Sequence, residues 1–111
     1  MSTSNFYYKD QPNASVEAGK GAKREIIGYD HQLMMVKVTF EQNAVGAIHQ
    51  HPHTQATFVE SGVFEFTIGE EKKIVRQGDA CFIPSNILHG CVCLEAGTLI
   101  DSFGPYREDF L

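Results

Sequence analysis

A chain of 111 residues with 42% hydrophobic content and a formal net charge of −5 has the dimensions of one globular domain and no room for a second. It holds no apolar run approaching a membrane span. The opening Met1-Ser2-Thr3-Ser4-Asn5-Phe6 lacks a basic stretch followed by an apolar one, and no basic cluster breaks the acidic excess. These features argue against membrane and nucleic-acid partners and for a cytoplasmic protein.

In chain order, the first twenty-odd residues, punctuated by Pro12, Asn13, Gly19 and Gly21, show no sustained period and are expected to form an arm, residues 1–22. Strands follow. Residues 24–28 are of β type. Residues 33–40 alternate, with Met34, Val36, Val38 and Phe40 sharing one face. Residues 47–51 and 55–61 come next, and residues 63–68 bring Phe64, Phe66 and Ile68 together. Residues 73–76, 80–83, 90–94 and 99–103 complete about nine short strands, separated by Gly, Asn, Pro or acidic turn residues. No stretch shows helical spacing with a start and a stop signal. The chain is therefore expected to be all-β, a sandwich or a closed barrel, closure being one way to remove exposed sheet edges. A domain of this length buries roughly 60–70% of its unfolded surface, so it needs no staple. The three cysteines are an odd count, and Cys91-Val92-Cys93 lacks the two-residue spacing of a zinc knuckle or redox motif, so reduced thiols are expected.

Two segments carry chemistry. In Gly46-Ala47-Ile48-His49-Gln50-His51-Pro52-His53-Thr54-Gln55 the odd positions His49, His51, His53 and Gln55 would project to one face of a strand, a face loaded with metal-capable groups. The plainer alternative is a set of surface histidines with the strand ended by Pro52. About forty residues on, Gly78-Asp79-Ala80-Cys81-Phe82-Ile83-Pro84-Ser85-Asn86-Ile87-Leu88-His89 pairs a glycine turn and a proline turn with a further histidine.

Together these segments resemble the cupin superfamily. His49, His51, Gln55 and Gly62 match the spacing of its first motif, and Gly78, Pro84 and His89 fit its second. Asn86 stands in place of a glycine, a mild change because asparagine tolerates left-handed backbone. Cys93 replaces the final asparagine, and Gln55 replaces the usual glutamate. The resemblance implies a single-domain jelly-roll β-barrel over residues 23–111, holding one divalent metal through His49, His51, Gln55 and His89. Three neutral imidazoles and an amide leave the ion's full charge available to a substrate, and the N₃O set suits Ni²⁺, Mn²⁺, Fe²⁺, Co²⁺ or Zn²⁺. His53 has the right parity but the wrong motif spacing and is expected to line the pocket. Cys91 and Cys93 share a face with His89 and are expected to behave as small buried hydrophobes.

The C-terminal stretch poses a parity question. Leu99, Asp101 and Phe103 share one face, Thr98, Ile100 and Ser102 the other. If the more apolar first set faces inward, Asp101 goes with it, and a pocket carboxylate is costly unless paired or used. Otherwise Asp101 marks an outward edge and Arg107-Glu108-Asp109 a solvated tail.

The run Leu33-Met34-Met35-Val36-Lys37-Val38, the first histidine motif, Cys93-Leu94-Glu95-Ala96-Gly97 and the ending Arg107-Glu108-Asp109-Phe110-Leu111 are similar to the pectin degradation protein family. These are small cupins that linearise 4,5-unsaturated uronates from pectin or alginate, and the similarity runs from about Val16 to Leu111. It implies catalytic or substrate-binding roles for Asp101, Phe103 and Arg107, a small anionic sugar as substrate, and an isomerase-type reaction. Cupins commonly dimerise, so a homodimer is expected by analogy. Another metal cupin enzyme, such as a dioxygenase, and a non-catalytic sugar-acid binder are the alternatives.

Overall fold

The computed structural model describes residues 3–12 and 14–111. Met1, Ser2 and Asn13, on which the leader and turn expectations partly fall, lie outside the described residues. Among the described residues eight strands form: β1 (Val16–Glu17), β2 (Ala22–Tyr29), β3 (Met34–Phe40), β4 (Val45–His49), β5 (Thr54–Ile68), β6 (Glu71–Arg76), β7 (Ala80–Ile83) and β8 (His89–Gly104). Short 3-10 turns occupy Tyr8–Asp10 and Glu108–Phe110.

The pairing is antiparallel throughout and runs β1-β2-β3-β8-β5-β6, with β4 on β8 and β7 on β5. β5 and β8 are the longest strands of this one eight-stranded sheet, and where their mutual register shifts, between Val59 and Phe64, they change neighbours. The first half of β5 pairs with β7 and with the second half of β8, which in turn pairs with β3. Their other halves pair with each other and carry β6 and β4. This is the all-β jelly-roll architecture.

The expectation of about nine short strands is corrected. Residues 55–61 and 63–68 are one strand, as are 90–94 and 99–103, while β1 appears within the N-terminal arm, where no period was evident. Gly62 reads as a turn signal but is a corner inside a continuous strand. It holds φ +84°, and a Cβ there would lie 2.6 Å from the Gly97 Cα and 2.7 Å from the Glu95 carbonyl. Two bent strands can touch backbone to backbone only if no side chain intervenes.

Period two decides the core. Met34, Val36, Val38 and Phe40 on β3 are all buried, as are Phe64 and Phe66 on β5 and Leu99 and Phe103 on β8. Phe40 and Phe64 meet edge to face at 5.2 Å between centroids. The N-terminal segment folds back on β2: Ser4 N–H donates to the Tyr29 carbonyl, Tyr29 N–H to Ser4 Oγ, and the Gln11 amide to the Ile27 carbonyl. Cys81, Cys91 and Cys93 are free thiols, and burial raises the pKa of each. Among the described residues no helix is long and apolar enough to cross a membrane.

Candidate metal centre

His49 closes β4 and His89 opens β8, and the two face each other in register. His51 lies in the turn between β4 and β5, and Gln55 follows near the start of β5. The histidine motif is therefore not one strand face, as its alternation suggested. The chain leaves β4 after His49 and resumes at Thr54, and the turn, rather than strand parity, swings His51 inward. One potential ligand atom from each of His49, His51 and His89 lies within 4.8 Å of the others.

Backbone carbonyls orient all three rings. Nδ1 of His49 lies 2.8 Å from the Ala47 carbonyl, Nδ1 of His89 2.8 Å from that of Ile87, and Nδ1 of His51 3.0 Å from that of His53. A carbonyl can only accept, so Nδ1 carries the hydrogen in His49 and His89 and their Nε2 atoms present lone pairs, the metal-binding tautomer. His51 takes the same tautomer when its Nε2 binds a cation.

The remaining polar atoms fit a cation. His89 Nε2 is buried and has no hydrogen-bond partner among the described residues. His51 Nε2 faces Gln55 Oε1 at 3.0 Å. The Gln55 amide nitrogen is committed elsewhere, to Thr57 Oγ1 at 3.0 Å and Asp101 Oδ1 at 3.4 Å, so two acceptors confront each other. A proton on Nε2, or a metal ion bound by both atoms, would relieve that contact. Burial, then the charge of Arg107, lowers the pKa of His51, and burial leads the same shift at His89, which disfavours the proton. The cluster is able to bind a divalent metal.

Asp101 faces inward, as the more apolar face of its strand required, and is 9% exposed. Burial pushes its pKa up to about 6, against the hydrogen bonds from Thr57 and Gln55 and the charges of Arg107 and His49, which lower it. Thr57 lies opposite Asp101 in the β5–β8 register, and its hydroxyl donates to Oδ1 at 2.6 Å. Phe103, opposite Gln55, meets the His51 ring edge to face at 5.8 Å. Arg107 lies with its guanidinium carbon 5.0 Å from the Phe103 ring centroid and 4.2 Å from that of Phe110. It also makes a two-pronged ion pair with Asp109, at 3.1 and 2.9 Å, so the Arg107 segment is not a free solvated tail.

His53 lines the site, its ring 5.3 Å from that of His51, while its carbonyl orients His51. Three residues escaped sequence reasoning. Thr57 had a usable signal, being the next inward position after Gln55 on a period-two strand. Arg24, 3.8 Å over the Phe110 ring, and Phe110 itself had none, since only folding brings β2 to the C-terminus.

A family model for the cupin domain matches residues 36–100. The pectin degradation protein KdgF of Dickeya dadantii (strain 3937) is 45% identical over 107 residues, spanning 95% of this chain and 97% of that one. Among solved structures, an RmlC-like cupin from Shewanella frigidimarina superposes with a TM-score of 0.94 at 37% identity, over 100% of both chains. KdgF from Halomonas sp. superposes with a TM-score of 0.90 at 34% identity, over 97% of this chain and 100% of that one. With a bent-strand barrel, a three-histidine cluster at its mouth and near-full-length similarity on both counts, the chain belongs to the cupin superfamily and, within it, to the pectin degradation protein family.

Proposed function

We propose that this chain is a metal-dependent enzyme that opens the ring of 4,5-unsaturated uronates derived from pectin or alginate, giving the open-chain 5-keto-4-deoxyuronate. The observation that carries the reading is a buried carboxylate, Asp101, that accepts from the Gln55 amide nitrogen while the Gln55 amide oxygen faces a three-histidine cluster. The near-full-length similarity to a pectin degradation protein supplies the substrate class.

His49, His51, Gln55 and His89 would hold the ion. When bound, it supplies Lewis acidity toward the uronate carboxylate and the adjacent ring oxygen. Asp101 removes the C1 hydroxyl proton as the bond between C1 and the ring oxygen breaks, leaving an aldehyde at C1, an enolate at C5 and the proton on Asp101. Delivery of that proton to C4 converts the enolate to the ketone and restores the carboxylate. No atom is gained or lost, so the step is an isomerisation. Arg107 holds the sugar carboxylate or a hydroxyl, and Phe103 packs against the ring. An acidic protein can thereby bind an anionic sugar, because the positive groups are local to the pocket.

Metal-loaded protein mixed with freshly prepared unsaturated galacturonate, or its alginate counterpart, should remove the conjugated ultraviolet absorbance faster than the spontaneous reaction and without consuming dioxygen. A rate equal to the spontaneous one defeats the proposal. Oxygen uptake would point to an oxidative cupin instead.

A further inference from the structure

We infer that Thr57 is a positioning residue for the reaction: its one hydroxyl holds the Asp101 carboxylate and helps keep the Gln55 amide with its oxygen toward the metal. The inference rests on the proposed function for the role of Asp101, but its geometric part does not.

Thr57 is 1% exposed and sits on β5 two residues past Gln55, opposite Asp101 on β8. A threonine hydroxyl has a single hydrogen to give. Here it goes to Asp101 Oδ1 at 2.6 Å, the acceptor that demands it most. Thr57 Oγ1 can then only accept, and what it accepts is a Gln55 amide N–H at 3.0 Å. The second Gln55 N–H points to the same Asp101 oxygen at 3.4 Å. Both neighbours of the amide are acceptors, so its nitrogen turns toward them and its oxygen turns toward His51, 3.0 Å away. With Asp101 ionised and so acceptor-only, the direction of every bond in the chain from Asp101 to Thr57 to Gln55 follows from hydrogen count.

Two consequences follow. Oδ1 of Asp101 receives both donors, whereas Oδ2 takes no hydrogen bond among the described residues and is not among the buried unsatisfied atoms. Oδ2 is thus the oxygen free to meet a substrate proton, with the carboxylate plane fixed by the bonds to Oδ1. Gln55, for its part, is presented to the ion as an oxygen donor without a conformational search.

Thr57→Val preserves the branched shape and removes the hydroxyl, whereas Thr57→Ser removes a methyl and keeps it. Cobalt(II) is titrated into the metal-free full-length chain, following its visible absorption, and turnover is measured on the unsaturated uronate. Thr57→Val should weaken cobalt binding about 10-fold and lower kcat at least about 10-fold with KM nearly unchanged. Thr57→Ser should recover most of both. Should Thr57→Val fail to give a cooperative melt, Thr57→Cys, a poor donor of similar size, replaces it. Cobalt affinity and kcat unchanged in the hydroxyl-free variant, or equally lost in Thr57→Ser, would overturn the inference. If the parent protein does not turn over the uronate, the proposed function fails, and cobalt affinity alone still decides for or against Thr57.

Discussion

At Asp101 two opposing demands meet. A carboxylate buried beside β3 and β5 resists ionisation, and its pKa rises to about 6, yet a proton acceptor must be ionised to work. His51 and His89 are displaced the other way, held below the ordinary value of 6.5 chiefly by burial. The neutral imidazoles that bind metal are therefore favoured, and protons displace the ion only as pH falls below 6.5. The two effects bear oppositely on the fold of the metal-free chain. Histidine stabilisation is present above pH 6.5 and lost as pH falls through the lowered folded pKa values. Asp101 favours the fold below about pH 4, and that contribution fades as pH rises to about 6. For turnover both act together, so kcat/KM should fall steeply below about pH 6. A pH profile flat from 5 to 8 would remove both assignments. Asp101→Asn should lower turnover by about 10²–10⁴-fold while cobalt still binds, because the carboxylate is not itself among the proposed ligands. The motif spacing made the clustering of His49, His51 and His89 legible in the sequence. The Asp101–Thr57–Gln55 chain was not, because it joins residues 44 and 46 positions apart through strand register that no local pattern encodes.

Strand periodicity was legible wherever one face is buried, as in β3, where all four expected inward residues are in the core. What the sequence could not distinguish is a glycine that ends a strand from one that bends it. Gly62 meets both descriptions by composition, and only contact with the distant 95–97 segment reveals the corner. Asn86 illustrates the opposite case: it was expected to tolerate left-handed backbone, and it adopts φ +62°. The corner makes a strong prediction at the level of the element. Gly62→Ala places a Cβ 2.6–2.8 Å from the 95–97 backbone, where no flexible side chain can yield, and adds the strain of positive φ. A loss of about 2–4 kcal/mol is expected, read from the denaturant midpoint at constant m-value. Because β5 and β8 both carry site residues, metal affinity should fall as well. A variant as stable as the parent would mean that the two strands separate freely at this corner.

Over the whole molecule, the chain divides its tasks between a barrel interior closed by Phe64, Met34, Ile83 and Val59 and a mouth where the polar site residues gather. The mouth is bordered by the C-terminal turn, with Phe110 set between the guanidiniums of Arg24 and Arg107 and against Phe103. That closure was invisible in the sequence, since it depends on β2 and the chain's end meeting across the sheet. The interior, by contrast, draws no residue from the metal site. Removal of the metal should therefore leave the chain folded: the chelator-treated protein should keep its β-type circular dichroism and a cooperative melt. A divalent ion added at about 100 times its dissociation constant should stabilise it by about 2.7 kcal/mol, raising Tm by on the order of 10 °C. His89→Ala should abolish most of that rise; the metal-free Tm should fall by less than the ion raises the parent, since the change removes the Nδ1 bond to the Ile87 carbonyl but also a buried Nε2 that has no partner of its own. A metal-free chain that is unfolded at 25 °C would show that the ion, rather than the paired bent strands and their apolar interior, holds the barrel together.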